Sequence, residues 1–150
     1  MVGLSLLGGK KQGSRPTVIP PETKVYKEEV IEPKSSTGPD FAKATMDYQP
    51  QHLNTLTAKL VGFDKPIAHG LWSMAVAVDR IMKNEKCYKN TYPFHVNVTF
   101  RRPFPLGSQG LLRYDEPAGE KNYSKFKIIK ADNRQGTILE GEIYTGEKMK

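Results

Sequence analysis

An aspartate and a histidine with a proline between them, in Asp47-Tyr48-Gln49-Pro50-Gln51-His52, are the residues of this chain best suited to moving protons. Histidine titrates near neutrality, and a carboxylate taken partly out of water can be shifted toward the same range. If the fold brings the two together, they form a general acid/base pair. Pro50 interrupts any regular helix across the segment, which frees both side chains from the directions that helical geometry would impose. Taken alone, the pair also reads as a turn aspartate and a surface histidine. Of the other chemistry-bearing residues, His69 precedes Gly70 at the head of an apolar segment and reads as a structural histidine that hydrogen-bonds backbone near a helix start. Cys87 is the only cysteine, which excludes a disulfide framework and a multi-cysteine metal site, and it reads as an incidental thiol. His95 falls on the polar face of a strand. Arg101 and Arg102 are adjacent in an extended segment and point to opposite faces, so at most one of them can meet an anionic ligand.

The elements that must position these residues are legible as periodicities. Thr23 to Ile31 alternates as an edge strand, and a short helix follows near Pro39, with Ser36 or Thr37 as its cap. Leu53, Leu56 and Leu60 recur at spacings of three and four, marking a second short helix that Gly62 closes. From Leu71 to Met82 apolar residues cover nearly every direction around a helix, with Ser73 as the interruption, so that helix must be wrapped on most sides by other structure. The remainder is strand-like. Phe94, Val96, Val98 and Phe100 share one face, and strands over 109–114, 123–131 and 137–144 follow, with a hairpin loop at 132–136. Three late strands joined by short connections make an antiparallel meander, and the apolar helix is what it would wrap.

Composition bounds the function classes. The 150 residues, 37% hydrophobic and 26% charged, fit one globular domain. The net charge of +7 owes three units to Lys10, Lys11 and Arg15, which precede the first acidic residue; the other 20 basic side chains face 16 acidic ones, a mild +4. Such a body suits an anionic ligand, and no nucleic-acid motif accompanies it. No stretch approaches the roughly 20 apolar residues that span a bilayer. Residues 1–21, with four glycines and three prolines, read as a flexible arm ahead of a domain over 22–146 and a tail at 147–150. The basic, acid-free start fits a disordered tail in a cytoplasmic protein, with a mitochondrial presequence as the alternative.

Two blocks then carry a resemblance. Asp47-Tyr48-Gln49-Pro50-Gln51-His52-Leu53 resembles the D-x-N-P-x-H-L signature of MaoC-like hydratases, the group that contains the (R)-specific enoyl-CoA hydratases. Phe63-Asp64-Lys65-Pro66-Ile67-Ala68-His69-Gly70-Leu71-Trp72 resembles that family's F-x-x-P-I-A-H-G-M block, at the family's own interval, and Val96 to Pro103 resembles its V-x-F-x-x-P strand. The resemblance implies a single hot-dog fold of the α+β class, an antiparallel sheet wrapped around a long central helix. It implies a hydro-lyase that adds water reversibly to a trans-2-enoyl thioester of coenzyme A or acyl carrier protein, without metal or redox cofactor. Asp47 and His52 would be the catalytic pair, and the backbone N–H of Gly70 would meet the thioester oxygen at the positive end of the helix. Gln49 and Pro50 would orient substrate, and Leu71, Trp72 and Met74 would line an acyl tunnel. Gln49 stands where the signature has asparagine and is one methylene longer. The resemblance further implies a hot-dog partner, either a second copy or a non-catalytic subunit, since related chains are often double hot-dogs with the signature in the second half. The competing expectation is a catalytically idle hot-dog subunit that binds acyl chains or plays a structural part in an assembly.

Overall fold

The computed structural model describes residues 26–132 and 136–146. The expected arm at 1–21, the tail at 147–150 and residues 133–135 of the expected hairpin loop lie outside these residues. Five strands form one antiparallel sheet in the order β1-β3-β4-β5-β2, with β1 at Tyr26–Ile31, β2 at Phe94–Phe100, β3 at Gly110–Asp115, β4 at Ser124–Lys130 and β5 at Thr137–Thr145. The three late strands are neighbours, as their short connections dictate. β1 and β2 are the edges.

Three α-helices precede β2: α1 at Thr37–Thr45, α2 at Thr55–Leu60 and α3 at Gly70–Asn84. On α3 the fully buried residues are Ser73, Ala77 and Ile81, a stripe at spacing four that faces the sheet. Opposite it stand Leu112, Tyr114, Phe126, Ile128, Leu139 and Ile143, and the core is the layer between. This is the sheet-and-helix arrangement of a hot-dog. One expectation needs correction. Within a single chain α3 is wrapped on one side only, because Leu71 is 58% exposed and Ala75 also faces out.

The reading of α2 also changes. Leu56 and Leu60 are 72% and 78% exposed, and Ala58 is the buried residue. The local chemistry explains the rotation. Asn54 caps the helix, its Oδ1 accepting from Thr57 N at 3.0 Å while the Thr57 hydroxyl accepts from Asn54 N at 3.3 Å, which fixes the start after Leu53. The end falls where expected: Gly62, at φ +90°, lets Phe63 N reach back to Ala58 O at 3.0 Å. Ser36 is the N-cap of α1, though its side chain makes no capping bond.

Candidate active site

Three chain segments meet at the N-terminus of α3. The first is the turn after α1, which carries Asp47. The second is a single 3-10 turn at Pro50–His52, opened by the proline whose missing N–H costs nothing there. The third is the extended run Pro66–His69. That run is held against the stretch after β2 by Ala68 N to Phe104 O and Leu106 N to Pro66 O, each 2.8 Å, and it holds the 3-10 turn through Ile67 N to Gln51 O at 2.9 Å.

His52 is buried, and its Nδ1 lies 2.8 Å from Ile67 O. A carbonyl only accepts, so Nδ1 carries the proton and Nε2 keeps a lone pair. Burial disfavours the imidazolium and holds His52 below the usual imidazole range, with the Ile67 bond partly opposing the shift. The ring is therefore set up as a neutral base. His69 stacks on it, ring centroids 3.6 Å apart at 23°, and its Nε2 donates to the backbone oxygen of Asp47 at 3.0 Å. This is the backbone bond near a helix start that its position suggests. The Asp47 carboxylate is 42% exposed; its Oδ1 accepts a long bond from Gln49 N at 3.4 Å, and its Oδ2 lies 3.8 Å from His69 Nε2.

One donor atom from each of Asp47, His52 and His69 falls within 4.8 Å of the others. The set is poorly shaped for a metal ion. Stacked imidazoles carry their in-plane lone pairs side by side and do not converge on one point, and each ring already spends one nitrogen on a carbonyl. It is better shaped for passing protons.

His52 and Gly70 share a cleft of about 310 Å³ with Ser73, Phe100, Phe104, Ile138 and Leu139. Gly70 is the first residue of α3, and the first helical bond runs from Ser73 N to His69 O, so helical geometry gives the amides of Gly70, Leu71 and Trp72 no intrahelical partner. A side chain at position 70 would press on the Phe100 ring, at 3.1 Å, so glycine keeps this wall open.

The other expected residues stand apart from the cleft. Gln49 is exposed and turns its Oε1 to Gln51 Nε2 at 2.5 Å, and Pro50 is exposed, its carbonyl accepting from Thr57 Oγ1 at 2.8 Å. Both shape the loop and neither reaches the cleft. Leu71 is exposed, Trp72 packs toward Phe104 with centroids 6.4 Å apart, and Met74 is half-buried; none of the three lines the cleft. Successive helical residues point about 100° apart, so one position in this turn can face the cleft squarely, and Ser73 takes it. Both arginines line the cleft, against the expectation that they point apart; Arg101 is tied to Glu140 at 2.6 and 2.9 Å, whereas Arg102 also borders an adjoining hollow with Lys65 and Lys130. Cys87 is half-buried and its thiol is pushed up by burial, as suits an inert thiol. His95 is half-buried, its Nε2 bonded to Gly146 O at 3.0 Å. A larger hollow, about 590 Å³, lies on the sheet's charged face among Arg113, Lys125, Lys127, Glu140 and Glu142, away from the histidines.

The model of the MaoC-like domain family matches residues 17–113. Among solved structures, an R-hydratase from Pseudomonas aeruginosa superposes with a TM-score of 0.67 at 23% identity, covering 85% of this chain and 83% of that one. A MaoC-like dehydratase from Phytophthora capsici gives 0.70 at 23% identity, covering 95% of this chain and 48% of that one, so this chain matches about half of that protein. A 3R-hydroxyacyl-ACP dehydratase complex from Mycobacterium tuberculosis gives 0.66 at 12% identity, covering 81% and 93%. At these identities the likeness is one of fold, and the fold is the hot-dog. No curated protein sequence matches the chain.

Proposed function

The chain belongs to the MaoC-like domain family, and from that premise we propose that it is a hydro-lyase adding water reversibly to a trans-2-enoyl thioester, with Asp47 and His52 as its acid/base pair. The observation that supports this reading best is the meeting of a half-exposed carboxylate, an imidazole with a free Nε2 and a helix N-terminus at one place. A water at hydrogen-bond distance from two atoms can bridge a gap of up to about 5.6 Å. One nitrogen of the His52 ring lies within 4.8 Å of a carboxylate oxygen of Asp47, which is within that reach. In the reaction the bridging water gives its hydroxide equivalent to C3 of the enoyl group and a proton to C2. Oxidation states balance with water alone, so the proposal calls for no redox cofactor, and it gives the electrophile's part to a backbone amide. Charge develops on the thioester oxygen as C3 is attacked, and the Gly70 amide at the positive end of α3 is the donor placed to meet it. The resulting (R)-3-hydroxyacyl thioester leaves by the same cleft. Arg102, unlike the tethered Arg101, is free to face the phosphates of coenzyme A or of an acyl carrier protein's prosthetic arm.

The test is hydration of crotonyl-CoA by the intact chain, followed by loss of enoyl absorbance. Measurable turnover is expected. Inertness toward every chain length and both carriers would leave the idle-subunit reading, which the outward-turned Gln49 amide favours.

We further propose that a second hot-dog unit, by default another copy of this chain, pairs with it. β2 is a sheet edge whose other side pairs with β5, and an open edge of seven residues is a template for another strand. Phe100 on that edge and Leu71 beside it on α3 are both more than half exposed. Isologous pairing would cover them and complete the wall on the open side of α3, where Leu71 and Met74 could then line an acyl slot. Light scattering at micromolar concentration is expected to give twice the chain mass; a monomer that is fully active would remove this pairing. Among the described residues no helix is long and apolar enough to cross a membrane.

A further inference from the structure

Asp47, His52 and Gly70 arrive on three separate segments, and one buried residue joins them, by its side chain to the first two and by its backbone to the third. His69 is 3% exposed. One face of its ring lies on His52 at 3.6 Å, the Phe41 ring packs at 4.9 Å and 49°, its Nε2 donates to Asp47 O at 3.0 Å across 22 residues, and its own backbone is the N-cap that leads into Gly70. The segment holding His52 has further ties to the same run, through Ile67 O and Ile67 N. Asp47 is held differently. Its carboxylate makes only the 3.4 Å bond within its own turn, and its hydrogen bond to a distant part of the chain is the one from His69. The cost of this arrangement is visible: His69 Nδ1 is buried with no hydrogen-bond partner, a loss that a capping bond to its own helix would have avoided. The ring is turned away from capping and toward the aspartate.

From this geometry we infer that His69 is the positioning residue of the site, locking the main chain of Asp47 to the head of α3 through its Nε2–H, with its ring laid against that of His52. The inference rests on the hydratase reading for its kinetic arm and on the coordinates alone for its structural arm. Two substitutions separate the bond from the ring. His69→Phe keeps a ring against His52 and loses the donor; His69→Gln loses the ring and keeps an amide N–H where Nε2 stood.

For His69→Phe, kcat is expected to fall by about 10- to 100-fold, as for loss of a partner that orients a reacting group, with KM within about threefold of wild type. His69→Gln is expected to recover kcat to within about fivefold of wild type, on the same reasoning. Amide hydrogen exchange over residues 47–49 is expected to speed up in His69→Phe by about tenfold or more and to stay near wild type in His69→Gln, whether or not the chain turns over. Equal losses in both variants, or a His69→Phe protein with wild-type kcat and wild-type exchange, would overturn the role. An inert wild type with slow exchange that only His69→Phe releases would overturn the hydratase reading and leave the positioning role standing.

Discussion

Asp47→Asn is expected to lower crotonyl-CoA hydration by on the order of a hundredfold or more, with little change in thermal stability. The substitution keeps the shape of the side chain and an oxygen that can still accept from Gln49 N. What it removes is the ability to take up or release a proton. Because the carboxylate is 42% exposed and makes only one long hydrogen bond, folding loses little. His52→Gln should cost at least as much activity, and the double variant should fall little below the worse single one, since two groups that pass one proton act as a unit. The pH profile carries a further sign. His52 works as a base only when neutral, and burial holds its protonation below the usual imidazole range. The acid limb of kcat/KM for wild type should therefore lie at lower pH than an ordinary histidine would give, and it should vanish from the residual activity of His52→Gln. A rate within a few-fold of wild type for Asp47→Asn would remove the carboxylate from the chemistry.

How much of this was legible beforehand depends on whether a residue's place is set by its neighbours in sequence or by distant packing. β2 falls where the alternation of Phe94, Val96, Val98 and Phe100 puts it, because a strand's period of two is a local property. The long helix and the meander were likewise carried by periodicity, and two motifs at a fixed interval put His52 and Gly70 on one cleft, with Asp47 outside its lining and against His69. The failures have the opposite character. Over the six residues of α2, leucines at spacing three and four are too few to fix a face, and the Asn54–Thr57 capping box decided the rotation that leaves Leu56 and Leu60 outside. Ser73 looked like an interruption in an apolar helix; it is the residue that faces the cleft, its hydroxyl donating to His69 O at 3.3 Å. Phe104, Ile138 and Leu139 join the cleft from segments far along the chain, and no spacing rule announces them. The outward turn of Gln49 depends on a partner two residues away whose rotamer the sequence leaves open.

Gly38→Ala is expected to damage both stability and activity, although helix propensity alone argues the reverse. Gly38 is the second residue of α1, where alanine would be favoured by about 0.5–1 kcal/mol. Packing overrides that gain. A Cβ at this position would overlap the carbonyl oxygen of His52, lie 3.0 Å from its carbonyl carbon and come within 3.3 Å of Leu106 Cδ1. Neither neighbour can yield freely. α1 is anchored one turn on by Ala42, which is fully buried, and the 3-10 turn is anchored by the bonds from His52 Nδ1 to Ile67 O and from Ile67 N to Gln51 O. Overpacking of this kind costs about 1–3 kcal/mol beyond any propensity gain, or roughly 2–4 °C of melting temperature per kcal/mol in a chain of this size. If the 3-10 turn gives way, His52 is displaced by something near 1 Å, enough to cost about a hundredfold in rate. Gly62→Ala provides the contrast. At φ +90° it strains the backbone by about 1–2 kcal/mol, yet nothing lies within 4 Å of the added methyl, so rate should survive where stability does not. Should Gly38→Ala fold with wild-type melting temperature and wild-type turnover, the helix before the aspartate does not press on the turn that carries the histidine, and the route by which this fold sets its acid against its base must run elsewhere.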